Sequence, residues 1–228
     1  MPEMSGLIPV EMDVRSDVWE PQYPPPGADG DSVVNGLHAE NAATEPAYRY
    51  AKTVQGASLA YYEPEDVTAT PEMKESNHAF VCPIGRVVVG RKHVGDENGR
   101  TTYFHAPLRL SGGDLLQTEQ MEWFTTKTSD EKFAREGCVV VGRRHHGDEN
   151  SPTEYLLARV YSKRGDRKAY LNTIDSKEGA WLKESSGDAA MAPPNKVMTG
   201  REHHGDENGK TRYTWSYCYA GESADTGR

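Results

Sequence analysis

The stretch Val139-Val140-Val141-Gly142-Arg143-Arg144-His145-His146-Gly147-Asp148-Glu149-Asn150-Ser151 occurs in three related versions along this chain. The other two versions run from Val87 to Gly99 and from Val197 to Gly209. Each copy continues to a threonine and then a tyrosine, so the shared pattern is V-x-x-G-R-x-H-x-G-D-E-N-[GS]-x-T-x-Y. The copies start 52 and 58 residues apart. Recurrence at a nearly constant spacing is typical of a protein built from internal repeats.

The composition of each copy predicts a β-hairpin. Valine runs and Thr-x-Tyr stretches favour strands, and Gly-Asp-Glu-Asn between them favours a tight connection. A polar turn precedes each copy, at Lys74-Glu75-Ser76, Lys127-Thr128-Ser129 and Lys183-Glu184-Ser185. Helical periodicity is weak, and residues 130–136 favour at most one short helical turn. We therefore predict an all-β protein.

The repeats also suggest how the chain is organised. We place three pseudo-equivalent β-repeats near residues 55–110, 111–163 and 164–220, and a short tail at 221–228. Three such units suit a pseudo-threefold barrel or a prism-like arrangement, in which each unit buries its apolar face against its neighbours. Residues 1–54 are rich in proline and glycine, which favours an extended N-terminal arm over a packed core.

Composition excludes several classes of protein. The chain has 26 Lys and Arg against 35 Asp and Glu, a formal charge of −9, which argues against nucleic acid as a partner. No apolar run is long enough for a transmembrane helix, so membrane insertion is not expected. The three cysteines, Cys82, Cys138 and Cys218, leave at least one thiol outside any disulfide within the chain. The first residues carry no signal-peptide pattern, although an extracellular or virion-associated setting is favoured over the cytoplasm.

Each copy gathers the same hydrogen-bonding side chains. Residues two apart on a strand share a face, so we expect the Arg and His of each copy to point together toward the acidic loop of their own hairpin. The candidate ligand-binding residues are the Arg, His, Asp, Glu, Asn and Tyr of the three copies: Arg91, His93, Asp96, Glu97, Asn98 and Tyr103; Arg143, His145, Asp148, Glu149, Asn150 and Tyr155; and Arg201, His203, Asp206, Glu207, Asn208 and Tyr213.

Four interpretations of these residues stay open. Arg paired with a loop carboxylate would be a structural clamp that pins each hairpin. The same planar groups beside a tyrosine are typical of glycan binding, and three weak sites would add avidity. Asp, Glu and Asn oxygens suit calcium, but the adjacent Arg and His oppose a cation. Catalysis is not expected, because the chemistry would be present in three nearly equal copies and no catalytic or nucleotide-binding fingerprint occurs.

The third copy resembles the dermatopontin family. The resemblance lies in Val197-Met198-Thr199-Gly200, His204, Glu207 and the aromatic strand from Tyr213 to Cys218, and in Cys82-Pro83-Ile84-Gly85 ahead of the first copy. It implies an extracellular, β-rich adhesion protein, in some members a lectin. This chain lacks the paired cysteines that would close each repeat in that family, and its loop is Gly-Asp-Glu-Asn.

Two functions follow as expectations. The first is a non-catalytic module that binds a glycan or glycoprotein surface through its three hairpin loops, with no cofactor except a possible calcium ion. The alternative is a structural component of a large assembly, in which residues 1–54 dock on neighbouring copies and the repeated motifs are clamps.

Overall fold

A computed structural model of the chain describes residues 53–54, 57–96, 98–126, 130–148, 151–206 and 208–221. The predicted all-β class is confirmed, because these residues form β-strands and one short 3-10 turn, Pro64–Asp66, and no α-helix. No helix among them is long and apolar enough to cross a membrane. The N-terminal arm lies almost entirely outside the described residues, as does the tail beyond residue 221.

The strands follow one another with short connections. In chain order they are β1 (Thr53–Val54), β2 (Ala57–Leu59), β3 (Thr68–Ala69), β4 (Met73–Lys74), β5 (Asn77–Val81), β6 (Arg86–Val94), β7 (Arg100–Pro107), β8 (Gln117–Thr126), β9 (Asp130–Ala134), β10 (Val139–His146), β11 (Thr153–Arg164), β12 (Arg167–Tyr170), β13 (Asn172–Glu178), β14 (Leu182–Lys183), β15 (Ser186–Met191), β16 (Lys196–His204) and β17 (Lys210–Ala220). The short helical turn expected at 130–136 is wrong, because this segment pairs with β16 as strand β9.

Three sheets contain these strands, and each is built around one motif hairpin. The first sheet has the order β15-β6-β7-β3, with β4 also on β7. The second has the order β12-β11-β10-β5, with β8 also on β11. The third has the order β1-β2-β17-β16-β9, with β13 and β14 also on β17. A closed barrel was one expectation. The described strands do not close into one, because the edge strands of each sheet do not pair with the edge strands of another.

A strand from elsewhere in the chain completes each motif hairpin. Strand β5, which follows the first polar turn, pairs with β10 of the second sheet. Strand β9 pairs with β16 of the third sheet, and β15 returns to pair with β6 of the first. The upstream segment of each repeat thus lies on the hairpin of another, and the three hairpins are linked in a cycle. This exchange brings the polar turns toward arginines that are far away in sequence.

The three hairpins have the same register. The motif Arg lies opposite the motif Tyr in each, as in Arg91 and Tyr103, and the motif His lies opposite the motif Thr. Each hairpin also has a bulge just before the motif glycine. A Cβ added to Gly142 would lie 2.9 Å from the backbone oxygen of Phe80 on the exchanged strand β5. The glycine is therefore required by the close passage of that strand.

The valine runs supply the centre of the core. Val87, Val88 and Val89 are all buried, as are Val139, Val140 and Val141, so both faces of these strands are covered. Leucines from the connections and Trp215 of β17 join the same cluster. Each fully buried valine or leucine side chain contributes about 1.5–3 kcal/mol to the stability of the folded state. Cys82, Cys138 and Cys218 are buried there as free thiols.

Candidate functional site

The motif Arg and His share one face of their strand, as predicted, but that face points into the protein. Along β6 the burial pattern places Arg91 and His93 inside and Lys92 between them at partial exposure. The three arginines, Arg91, Arg143 and Arg201, are only 3–4% exposed. Burial of a guanidinium is costly unless the charge is paired, so the partners of these groups decide what the motif does.

Two buried glutamates pair with the three arginines. Glu75 lies 3.1 Å from Arg91 (Oε2 to Nη2) and 2.6 Å from Arg143 (Oε1 to Nη1). Glu184 lies 2.5 Å from Nη1 of Arg91 and also accepts a hydrogen bond from Arg201. Both glutamates belong to polar turns upstream of the hairpins. The expectation that each arginine pairs within its own loop is wrong for these contacts, because the carboxylates come from the polar turns. Arg91 and Arg201 each pair with the glutamate upstream of their own hairpin, and the strand exchange brings a glutamate of another repeat to Arg143 and to Arg91.

The motif tyrosines extend the pairing from one hairpin to the next. Arg91 donates to the hydroxyl of Tyr213 at 3.0 Å, which joins the first hairpin to the third. Arg143 donates to Tyr103 at 3.2 Å, and Arg201 donates to Tyr155 at 3.2 Å. Each hairpin therefore contacts one neighbouring hairpin through its arginine and the other through its tyrosine. We call these three arginines, three tyrosines and two glutamates the buried network.

The histidines line the same interior. His203 Nδ1 lies 3.1 Å from Glu184 Oε2, and His93 Nδ1 lies 3.7 Å from Glu75 Oε2. His145 contacts the Thr153 hydroxyl at 3.1 Å and the Asp148 carbonyl at 3.0 Å. A further histidine outside the motif, His78 of β5, contacts the Tyr103 hydroxyl and the Glu75 carbonyl, each at 2.8 Å.

The network controls the protonation of its members. Burial by itself would raise the pKa of Glu75, but the charges of Arg143 and Arg91 outweigh it and hold that pKa well below its usual range. The pKa of Glu184 is lowered in the same way, against its burial, by Arg201 and Arg91. Burial lowers the pKa of His78 to about 4, with Arg143 adding to the effect. The carboxylates are therefore charged and His78 is neutral near pH 7.

The aspartates of the motif lie at the exposed hairpin tips. Asp96 Oδ1 accepts the backbone N–H of Asn98 at 2.9 Å, and Asp206 Oδ1 accepts that of Asn208 at 2.8 Å. Asp148 Oδ1 accepts the Ser151 hydroxyl at 3.0 Å. The structure thus separates the predicted site into buried Arg, His and Tyr and exposed Asp and Asn. Four predicted residues lie outside the described part of the chain, namely Glu97, Glu149, Asn150 and Glu207.

Two tryptophans are covered by arginines. The Arg144 guanidinium lies 4.5 Å from the Trp123 ring centroid and pairs with both carboxylate oxygens of Glu154 at 2.7 Å. Arg212 lies 4.5 Å from the Trp181 ring centroid in the third sheet. Because a cation occupies one face of each ring, these tryptophans favour packing over an open sugar-binding platform.

Sequence reasoning did not assign Glu75, Glu184 and His78 to the site. The recurring Lys-Glu-Ser turn was the available signal for the two glutamates, but its second copy reads Lys127-Thr128-Ser129 and breaks the pattern. His78 has no counterpart that a repeat comparison could reveal. No cluster of three or more His, Cys, Asp or Glu suited to a metal ion occurs in the described ranges.

Comparison with known proteins leaves the geometry as the basis for assigning function. Neither a family model, nor a curated protein, nor a solved structure matches this chain. The resemblance to dermatopontin therefore stays a likeness of sequence pattern.

Proposed function

We propose that this chain is a non-catalytic structural protein that serves as a subunit of a larger assembly, such as a virion or a surface layer. The observation that supports this proposal is the buried network, in which repeated motif residues bind one another across three hairpins. Arg91 alone contacts Glu75, Glu184 and Tyr213, which belong to elements far apart in sequence. The motifs are clamps that join the sheets.

The cavity that the described residues form beside the network is too small for a ligand. A cavity of about 10 Å³ adjoins Arg91, His93 and Glu184. That volume is at the lower limit for a single water molecule, whereas ligand sites in proteins span roughly 300–1,000 Å³. A sugar would reach these side chains only if the sheets separated. The clamp interpretation requires no such opening.

A buried network of charged groups specifies one arrangement of the fold more readily than it raises the free energy of unfolding. Replacing such groups by apolar residues is often neutral, but removing one partner leaves an uncompensated charge. Here the network admits one relative arrangement of the hairpins, because each arginine needs a carboxylate from another element. We further propose that the three sheets are related by a pseudo-threefold arrangement, which the shared hairpin register and the cyclic strand exchange support.

Assembly is assigned to the N-terminal arm. The composition of residues 1–54 is poor in core-forming side chains, and the run Pro21-Gln22-Tyr23-Pro24-Pro25-Pro26 favours an extended conformation. An extended segment gains stability by lying on the surface of another subunit. The arm would therefore dock on neighbouring copies while residues 55–220 supply the rigid body.

A second candidate function is carbohydrate binding and adhesion through the hairpin tips. It is favoured by the exposure of Asp96, Asp148 and Asp206 at three equivalent positions, where weak contacts could act together. The buried arginines, histidines and tyrosines would then support the tips without touching the ligand.

Light scattering after size-exclusion chromatography tests the proposed assembly. The full chain should elute as a homo-oligomer, and a variant lacking residues 1–52, which keeps strand β1, should elute as a monomer with an unchanged melting temperature. A control variant with Pro24, Pro25 and Pro26 replaced by alanine should weaken assembly without abolishing it, since the arm loses stiffness but keeps its length. A full chain that stays monomeric at high concentration would contradict the proposal.

A further inference from the structure

A groove on the second sheet differs from the buried network in both volume and chemistry. It lies between the loop that joins β7 to β8 and the C-terminal half of β11, and its volume is about 570 Å³. Its walls include Leu110, Asp114, Leu115, Gln117, Tyr161 and Lys163. This volume falls within the range of small-molecule sites in proteins.

The polar groups of the groove are available to a ligand. In the described part of the chain, the side chains of Asp114, Gln117 and Lys163 take part in no hydrogen bond or ion pair, and the Tyr161 hydroxyl has no partner. The groove thus presents a carboxylate, an amide, an ammonium and a phenol together. The motif arginines differ from these groups, because their partners are all side chains of the protein itself.

The walls of the groove are held in place before any ligand arrives. Leu110 donates its N–H to the Asp114 carbonyl at 3.1 Å, and Leu115 forms a bridge with Arg109, so the loop is closed by its own backbone. Tyr161 packs against Tyr170, with ring centroids 5.7 Å apart, and the Lys168 ammonium lies 4.9 Å from the Tyr161 ring. A preorganised wall reduces the entropy lost on binding.

From this arrangement we propose that the groove is a saccharide-binding site for a pyranose ring. The Leu110 and Leu115 side chains, the latter 54% exposed, offer an apolar surface to the C–H face of a sugar, and the Tyr161 hydroxyl adds a hydrogen-bonding group beside them. The Asp114 carboxylate and the Gln117 amide are planar groups that accept and donate hydrogen bonds to neighbouring hydroxyls. The groove contains one carboxylate and one ammonium, so it has no excess positive charge that would favour a phosphate group as the ligand. The site is independent of the proposed structural role and of the hairpin tips.

Saturation-transfer NMR tests the proposal with the full chain and a fixed set of probes: the methyl glycosides of glucose, galactose, mannose and N-acetylglucosamine, and their disaccharides. At least one probe should receive saturation and raise the melting temperature, because a ligand that binds only the folded state stabilises it. Asp114→Asn and Leu115→Ala should each weaken that binding about tenfold. Both residues are exposed, so these variants retain the fold.

A matched control locates the site. Asp166→Asn makes the same substitution at an exposed position outside the groove and should bind the probe as the unchanged chain does. Asp96→Asn makes it at a hairpin tip and tests whether the probe binds there. The proposal is overturned if no probe binds, if Asp114→Asn and Leu115→Ala leave binding unchanged, or if Asp96→Asn removes it and so assigns the ligand to the tips.

Discussion

The interior and the tip of each motif hairpin have equally regular sequences but very different surroundings. Arg143 is 4% exposed and contacts Glu75, Tyr103 and Tyr155, whereas Asp148 of the same copy lies at the surface. The cost of losing a charged group depends on burial, because water replaces a partner at the surface and cannot do so inside. Repetition in the sequence therefore does not show which residues hold the fold together.

Removing a buried carboxylate should have the largest effect. Glu75→Gln leaves Arg91 and Arg143 without one of their charged partners, and we expect the free energy of unfolding to fall by about 3–5 kcal/mol. Denaturant titration measures this change. The matched control is Glu202→Gln, which removes a carboxylate paired with Arg212 and Lys132 near the surface and should lower the free energy of unfolding by much less. Equal losses in the two variants would show that the network is no tighter than a surface ion pair.

Acid should destabilise the protein through the groups buried in its interior. The pKa of His78 is lowered from 6.5 to about 4, so the unfolded chain binds this proton first as the pH falls. Stability should be at its full value above pH 6.5 and should decrease as the pH falls toward 4, by up to about 3 kcal/mol from this residue. Below pH 4.5 the lowered pKa of Glu75 and of Glu184 adds a further loss, because the unfolded carboxyl groups take up protons that the folded ones do not.

Melting temperature measured from pH 8 to pH 4 checks this prediction. His78→Asn should flatten the decrease between pH 6.5 and 4, while the variant is less stable at pH 8 because it loses contacts with Tyr103 and Arg143. His146→Asn is the matched control, since His146 is exposed at the end of β10 and contacts Asn77. A profile of the unchanged chain that is level down to pH 4 would show that His78 is not shielded as the geometry indicates.

The local parts of the fold could be predicted from the sequence, and the long-range parts could not. Hairpins at the motifs, and the shared face of Arg91 and His93, follow from strand geometry within a few residues. The contact between Arg91 and Glu184 joins residues 93 apart, and nothing near either residue specifies it. The strand exchange that creates this contact also placed β9 where a helical turn was expected, because pairing with β16 overrides a weak local preference.

The groove escaped sequence reasoning for a related reason. Tyr161 and Lys163 lie beyond the second motif, and Asp114 and Gln117 lie before it, outside the repeated pattern. Their proximity depends on the pairing of β8 with β11, in which Gln117 lies opposite Tyr161. A search for the repeated motif therefore leads to the clamps and does not find the groove, which lies outside the motif.

The smallest effect is expected at the tips, where it also separates the two candidate functions. Asp96→Ala removes one hydrogen bond to the exposed N–H of Asn98 and should cost about 1 kcal/mol or less, as judged by denaturant titration. A loss as large as that of Glu75→Gln would mean that the tip is tied into the fold and is not a free surface. Since the variant stays folded, its glycan binding can be read directly on an array. If the unchanged chain binds a glycan on the array and the variant does not, the tips contact the ligand. If both bind equally, the tips are turns that close the clamps.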